Sequence, residues 1–215
     1  MDDWIEDIEE YDGLNNLENR RSIPYSKYFG EMDLTKEQKE KRKSFAEKLD
    51  DVMLFIFALF TVMKANNRIS QDYITKSLHE RYTDIVSGYM TVDEYLQEYI
   101  ETFSRNAVDA TMRNIDNPFF LSVDRAVLIS ENEANSIYNY QEFLKAIADG
   151  KTRKQWVDIR DKRERKTHRE VGGKIIPIQR AFEVGNSLLL FAKDASLGAS
   201  MEEIANCRCT TRYLR

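Results

Sequence analysis

Only eight glycines and three prolines punctuate the 215 residues, about half of what average usage of roughly 7% and 5% would supply. So few chain breakers predict long helices and argue against sandwiches, propellers and collagen-like arrays. Thr35 is placed to cap a helix over 36–64 whose second half is apolar on all sides, the pattern of a helix buried between other elements. The most apolar run, Val52 to Met63, is broken only by Thr61. It is short of the ~20 residues a bilayer requires and is flanked by Asp50, Asp51 and Lys64, so it reads as a buried helix or a partner-binding face. Ser70 opens a second expected helix carrying Ile74, Leu78, Tyr82 and Ile85 on one face, and Gly88 ends it. Thr91-Val92-Asp93-Glu94 reads as a capping box opening a third, with Val92, Leu96, Tyr99 and Phe103 inward. Asn117-Pro118 stops the block.

Ser130 is the expected cap of a further helix from Glu131 to about Asp149, with Ala134, Ile137, Leu144 and Ile147 facing the core and Gly150 in the left-handed position beyond it. The character then changes. Gly172-Gly173 and Gly185-Asn186-Ser187 punctuate short apolar runs of strand type. Met201 to Ala205 reads as one helical turn, and Cys207 to Tyr213 as a last strand. The fold class expected is α+β: a mainly helical N-terminal block followed by a small C-terminal module with short antiparallel strands. Three segments follow: an acidic arm over 1–35, a helical block over 36–120 and a module over 121–215.

The arm carries ten acids against Arg20, Arg21 and Lys27, with Trp4, Ile5, Ile8 and Tyr11 scattered among them. Such a segment cannot build a core of its own and reads as a loosely held tail. It lacks the basic and apolar regions of a signal peptide. The formal net charge of the chain is −5. Against that background Lys151 to Arg169 holds nine bases and three acids, a net +6. A footprint of this kind suits phosphate or an acidic surface, with Lys162, Arg165, Lys166 and Arg169 as the nucleic-acid contacts; on charge alone, a solvated loop or helix is the expectation. Only Trp156 interrupts these bases, which gives little support to a base-stacking platform. A large aromatic among charges is expected to be buried, contributing ~3 kcal/mol or more.

Cys207-Arg208-Cys209 contains the only two cysteines. One intervening residue strains a bridge between them, so reduced thiols and an intracellular setting are expected. With the distant His168 they make three candidate zinc ligands, whereas a structural site takes four and the usual Cys spacing is two to four intervening residues. Two core thiols with no metal are the expectation; a Cys/His nucleophile pair is the third reading. No Gly-rich phosphate loop, His-Glu-x-x-His or Gly-x-Ser-x-Gly is present, and nothing in the residues compels an enzyme.

In order along the chain stand Trp156, then Asp161, Arg163, Arg165 and His168 as Asp-x-Arg-x-Arg-x-x-His, Gly172 or Gly173, Phe182, Asp194, and a closing Glu-x-Ile-x-Asn-Cys-Arg-Cys through Glu202 or Glu203, Ile204, Asn206, Cys207, Arg208 and Cys209. With this pattern the chain resembles, from about Leu121 to Tyr213, the phage Mu F-like head morphogenesis family. It departs from the family in Ile129-Ser130-Glu131-Asn132-Glu133, which lacks an Arg, and before Asp194, where a Pro is missing. The motif residues are read as the structural centre of the module. Asp161 is expected to pair with Arg163 or Arg165, His168 to bond backbone of the following hairpin, and Asn206 to turn the chain into the final strand.

The resemblance implies a low-copy minor capsid protein of a tailed phage or prophage, found in the virion and in the host cytoplasm during assembly. Its implied partners are portal and capsid proteins and the packaged DNA, with no membrane. The alternative is a toxin-type or nucleic-acid-modifying enzyme, since the family's domains also occur fused to effectors. Only six residues follow Cys209, so any activity is expected within the module itself. A stand-alone DNA-binding protein is the third reading.

Overall fold

A computed structural model describes residues 25–215, and the arm's apolar residues Trp4, Ile5, Ile8 and Tyr11 lie outside the described residues. The elements are α1 (Tyr25–Gly30), α2 (Lys36–Ala65), α3 (Gln71–Ser87), α4 (Glu94–Arg113), a 3-10 turn (Pro118–Leu121), α5 (Val123–Ala148), β1 (Arg153–Val157), α6 (Lys166–Val171), β2 (Ile175–Pro177), β3 (Phe182–Val184), β4 (Ser187–Leu189), α7 (Met201–Ile204) and β5 (Thr210–Leu214). The fold is α+β, with long helices first and short antiparallel strands last.

The chain divides into two compact units. The first, among described residues, is 45–130: most of α2, then α3, α4 and the start of α5. The second joins 25–44 to 131–215. The segment 25–35, expected to belong to the loose arm, therefore sits within the C-terminal unit, where Phe29 and Met32 are buried. The division also falls at Ser130 and not at Asn117-Pro118; the proline stops α4, but α5 runs on through the boundary as one helix.

In the first unit the apolar half of α2 buries Met53, Ile56, Leu59 and Phe60, as a helix without a polar face must. Ser70 caps α3, and Ile74, Leu78, Tyr82 and Val86 are its buried stripe; Ile85 is half-buried. The cap of α4 is Asp93, whose carboxylate accepts from the Leu96 N–H at 3.0 Å, and not Thr91. An ionised acceptor two residues further on suits the helix's positive end better than a hydroxyl. The stripe shifts with it to Leu96, Ile100, Ser104 and Val108.

The start of α5 also differs. Ser122 Oγ accepts from the Arg125 N–H at 3.2 Å, and the helix begins at Val123, directly after the 3-10 turn. Ser130 lies mid-helix with its buried hydroxyl unpartnered. Once α5 is in place, Ala134, Ile137, Tyr140, Phe143 and Ala146 are buried, whereas Leu144 and Ile147 are exposed. Gly150 takes the left-handed φ of +67°.

In the second unit, Thr35 and Gln38 cap α2 reciprocally: Gln38 N–H donates to Thr35 Oγ1 at 3.2 Å and Thr35 N–H to Gln38 Oε1 at 2.9 Å. One turn later the fully buried Arg42 donates to Asn135 Oδ1, Asn139 Oδ1 and Glu142 Oε1 at 3.3, 3.2 and 2.8 Å. The module's three-stranded antiparallel sheet has the order β2-β1-β5, with Trp156 opposite Thr211 and Lys154 opposite Tyr213; β3 and β4 form a separate hairpin. The strand period of two puts Lys154 on the same buried face as Trp156. Its ammonium donates to the Leu190 carbonyl and lies 5.2 and 5.3 Å from the Phe143 and Phe182 rings. The final strand starts at Thr210, later than expected, so both cysteines lie in the segment leading into it.

Two outcomes follow from these buried cations. Arg42→Ala strands Asn135, Asn139 and Glu142, and thermal unfolding should report a loss of about 3 kcal/mol. Burial lowers the Lys154 pKa to about 8, with Asp194 opposing the shift. Because that lies below the ordinary lysine value, the folded chain holds fewer protons than the unfolded one, and stability gains as pH climbs from about 8 toward 10. Urea midpoints across that range should show Lys154→Met lacking this part of the rise.

Candidate functional site

The site is assembled from the turn before β5, the loop and helix after β1, and α7. Asn206 takes a left-handed φ of +54°, which asparagine tolerates better than most residues; its N–H donates to Asn132 Oδ1 at 2.8 Å. The Cys-x-Cys backbone beyond it is held from α5: Asn135 Nδ2 donates to the Cys207 and Cys209 carbonyls, both at 3.3 Å, and Asn139 Nδ2 to Cys209 and Ala192 at 3.3 and 3.0 Å. The Arg42 guanidinium holds the other end of both amides.

Trp156 is fully buried in a cluster with Val171, Phe182, Val184, Leu189 and both cysteines, as its place among charges predicted. The His168 ring stands edge-on to it, centroids 5.6 Å apart. Gly173 adopts a φ of +78°, and its N–H returns to the Trp156 carbonyl at 2.9 Å.

His168, Cys207 and Cys209 meet, all three only 2% exposed. His168 Nδ1 lies 3.4 Å from Cys209 Sγ and 3.5 Å from Cys207 Sγ, and the three ligand atoms fall within 4.8 Å of one another. The opposite ring nitrogen, Nε2, meets the Glu203 carboxylate at 3.0 Å and not hairpin backbone as expected. Thr167 Oγ1 donates to the same Glu203 oxygen at 2.8 Å. Gly185 supplies room for that carboxylate: at φ +58°, a Cβ there would stand 2.4 Å from Glu203 Oε1.

These contacts set the electrostatics. The Cys207 thiol is pushed well below its ordinary pKa by the hydrogen bond with Cys209 and by His168, against the effect of burial. Cys209 is driven well up by the hydrogen bond with Cys207 and by burial, which the Trp156 indole opposes. Burial pulls His168 down, but the Cys207 hydrogen bond and charge, with Glu203, outweigh it and leave its pKa raised. Lys193, whose ammonium donates to the Ile204 carbonyl at 3.1 Å and to Asn132, is lowered by burial to about 8.

A cavity of about 20 Å³ adjoins the thiols and His168, lined also by Ile159, Glu164, Arg165 and Asn206. That is room for about one water. Cys207, His168 and Glu203 have the order nucleophile, base and orienting carboxylate, beside a cavity of one-water size.

The charged motif residues form a second layer. Asp161 accepts from the Arg163 N–H at 2.9 Å and pairs with the Arg163 side chain at 3.6 Å. Its buried partner is Arg208, which bridges Asp161 to Glu31, the latter at 2.6 Å. Arg165 instead donates to the Ala205 carbonyl, so it is tied into the turn and does not present a free surface base. Lys162, Lys166 and Arg169 are exposed; Lys166 lies 3.7 Å from Glu170, and Arg169 3.3 Å from Glu164. The +6 segment is thus divided among a buried lysine, internal ion pairs and a few outward bases. It does not form one continuous cationic face.

Glu31 and the two asparagines of α5 were not singled out from sequence. Arg208 and Glu203 lay within the motif pattern, but nothing there marked their partners. No helix among the described residues is long and apolar enough to cross a membrane. No family model, curated protein or solved structure matches the chain.

Arg208→Ala should cost ~2 kcal/mol in chemical denaturation, because it removes two charge-assisted bonds from a side chain only 8% exposed. Arg163→Ala, at 65% side-chain exposure, should cost less than ~1 kcal/mol.

Proposed function

We propose that the chain is a minor capsid, head-morphogenesis protein of a tailed phage or prophage, a low-copy virion component contacting portal and capsid proteins. The observation that carries this reading is the convergence of the motif. Trp156, Cys207 and Cys209 share one buried cluster, His168 meets both thiols and stands edge-on to Trp156, Asp161 pairs with the intervening Arg208, and Asn206 takes the left-handed turn before Cys207. Residues required at distant positions of a family pattern have a physical reason to recur together when each supports the same small core. On this reading the module is an architectural unit and its motif residues do not turn over a substrate.

DNA contact, if made by this part, falls to the outward Lys162, Lys166 and Arg169, and the internal pairing of Lys166 and Arg169 predicts a shallow salt dependence. Mass spectrometry of purified phage particles from an induced host is the direct check. The chain is expected in the particle at low copy relative to the major capsid subunit, and its absence from infectious particles would overturn the reading.

A further inference from the structure

We propose that His168 Nδ1 and the thiolates of Cys207 and Cys209 bind one soft divalent cation of the zinc class, with a water in the adjoining cavity as fourth ligand. The inference stands apart from the head-assembly reading and rests on the geometry of the three side chains.

Zinc binds thiolate at ~2.3 Å and imidazole at ~2.0–2.1 Å in tetrahedral geometry, which places a sulfur and a nitrogen of one site ~3.5 Å apart. The observed separations from Nδ1 are 3.4 and 3.5 Å. Asn135 and Asn139 fix the Cys207 and Cys209 backbone, so the two sulfurs are preorganised.

The surroundings are those a metal-bound set requires. His168 presents Nδ1 to the sulfurs because Nε2 is engaged by Glu203, the carboxylate–histidine pairing that orients an imidazole toward a metal and fixes its tautomer. The Cys209 N–H donates to Cys207 Sγ at 3.3 Å, a bond that favours a thiolate over a thiol. The Trp156 indole N–H is buried without a hydrogen-bond partner and lies close enough to Cys209 to act on its thiol; a metal-bound thiolate is an acceptor for it.

The cavity supplies the position that a three-residue set leaves open. It is large enough for one water, and Glu164 lines it. One carboxylate oxygen of Glu164 is buried and unpartnered, an acceptor for a proton of the bound water. Charge balances as well: binding displaces two protons from the His168, Cys207 and Cys209 set, and a dication with two thiolates and a neutral imidazole is neutral overall. Two sulfurs and a nitrogen in a tetrahedral arrangement select zinc over magnesium or calcium.

The full-length chain, purified without a polyhistidine tag under reducing conditions, is assayed for metal by elemental analysis, then stripped with chelator and titrated with cobalt(II). One zinc per chain as isolated, or one cobalt per chain with a thiolate charge-transfer band and the strong visible bands of tetrahedral cobalt, is the expected result. Cys207→Ser, Cys209→Ser and His168→Ala should each abolish stoichiometric uptake. Glu203→Gln should weaken it 10- to 100-fold, with circular dichroism reporting that the variant remains folded. Bound zinc should protect both thiols from iodoacetamide.

Should the ligand variants fail to fold, the cobalt titration of the stripped natural chain decides alone. Absence of the charge-transfer band overturns the proposal. So does rapid alkylation of Cys207 that added zinc leaves unchanged, which would identify a reactive thiol paired with His168.

Discussion

The C-terminal unit depends on one buried cation. Arg42 reaches from α2 to two asparagines of α5, and their amides reach on to the carbonyls of Cys207, Cys209 and Ala192. A guanidinium with no solvent contact costs several kcal/mol in lost hydration unless its donors are engaged; here the asparagine oxygens and Glu142 accept from it. The arrangement is directional. Each amide has one acceptor and one donor end, so fixing the oxygen toward Arg42 aims the nitrogen at the carbonyls. An arginine 93 positions before Asn135 therefore sets the orientation of the segment carrying both thiols.

Local signals in the sequence were legible where the physics is local. Thr35, Ser70 and Gly150 act within one turn of chain, and each stands where the pattern placed it. Ser130 failed as a cap because a serine before an apolar run looks the same whether a helix begins there or passes through; the 3-10 turn at Pro118–Leu121 had already supplied Ser122. Leu144 and Ile147 failed because the buried side of α5 is chosen by what lies against it, and the aromatic residues Tyr140 and Phe143, which meet Phe191, take that side.

At the site the sequence held the ligand types and not their neighbours. His168, Cys207 and Cys209 were visible as a candidate set because few other residues do that chemistry. Glu203 and Arg208 were ordinary charges until the fold gave each a partner across 35 and 47 positions. The basic segment shows the converse. Counting bases over a stretch assumes that they share a surface, yet β1 turns Lys154 inward while Arg165 is taken up by a carbonyl of the turn before Asn206.

The C-terminal unit is discontinuous, with 25–44 separated from 131–215 by residues 45–130 of the first unit. During synthesis at ~5–20 residues per second, α1 leaves the ribosome on the order of ten seconds before β5 is made. Throughout that interval Phe29 and Met32 have no unit to enter, while the intervening 45–130 has all its own elements and is free to fold. The nascent chain thus completes its middle before its beginning, and its earliest described apolar residues are the last to find cover.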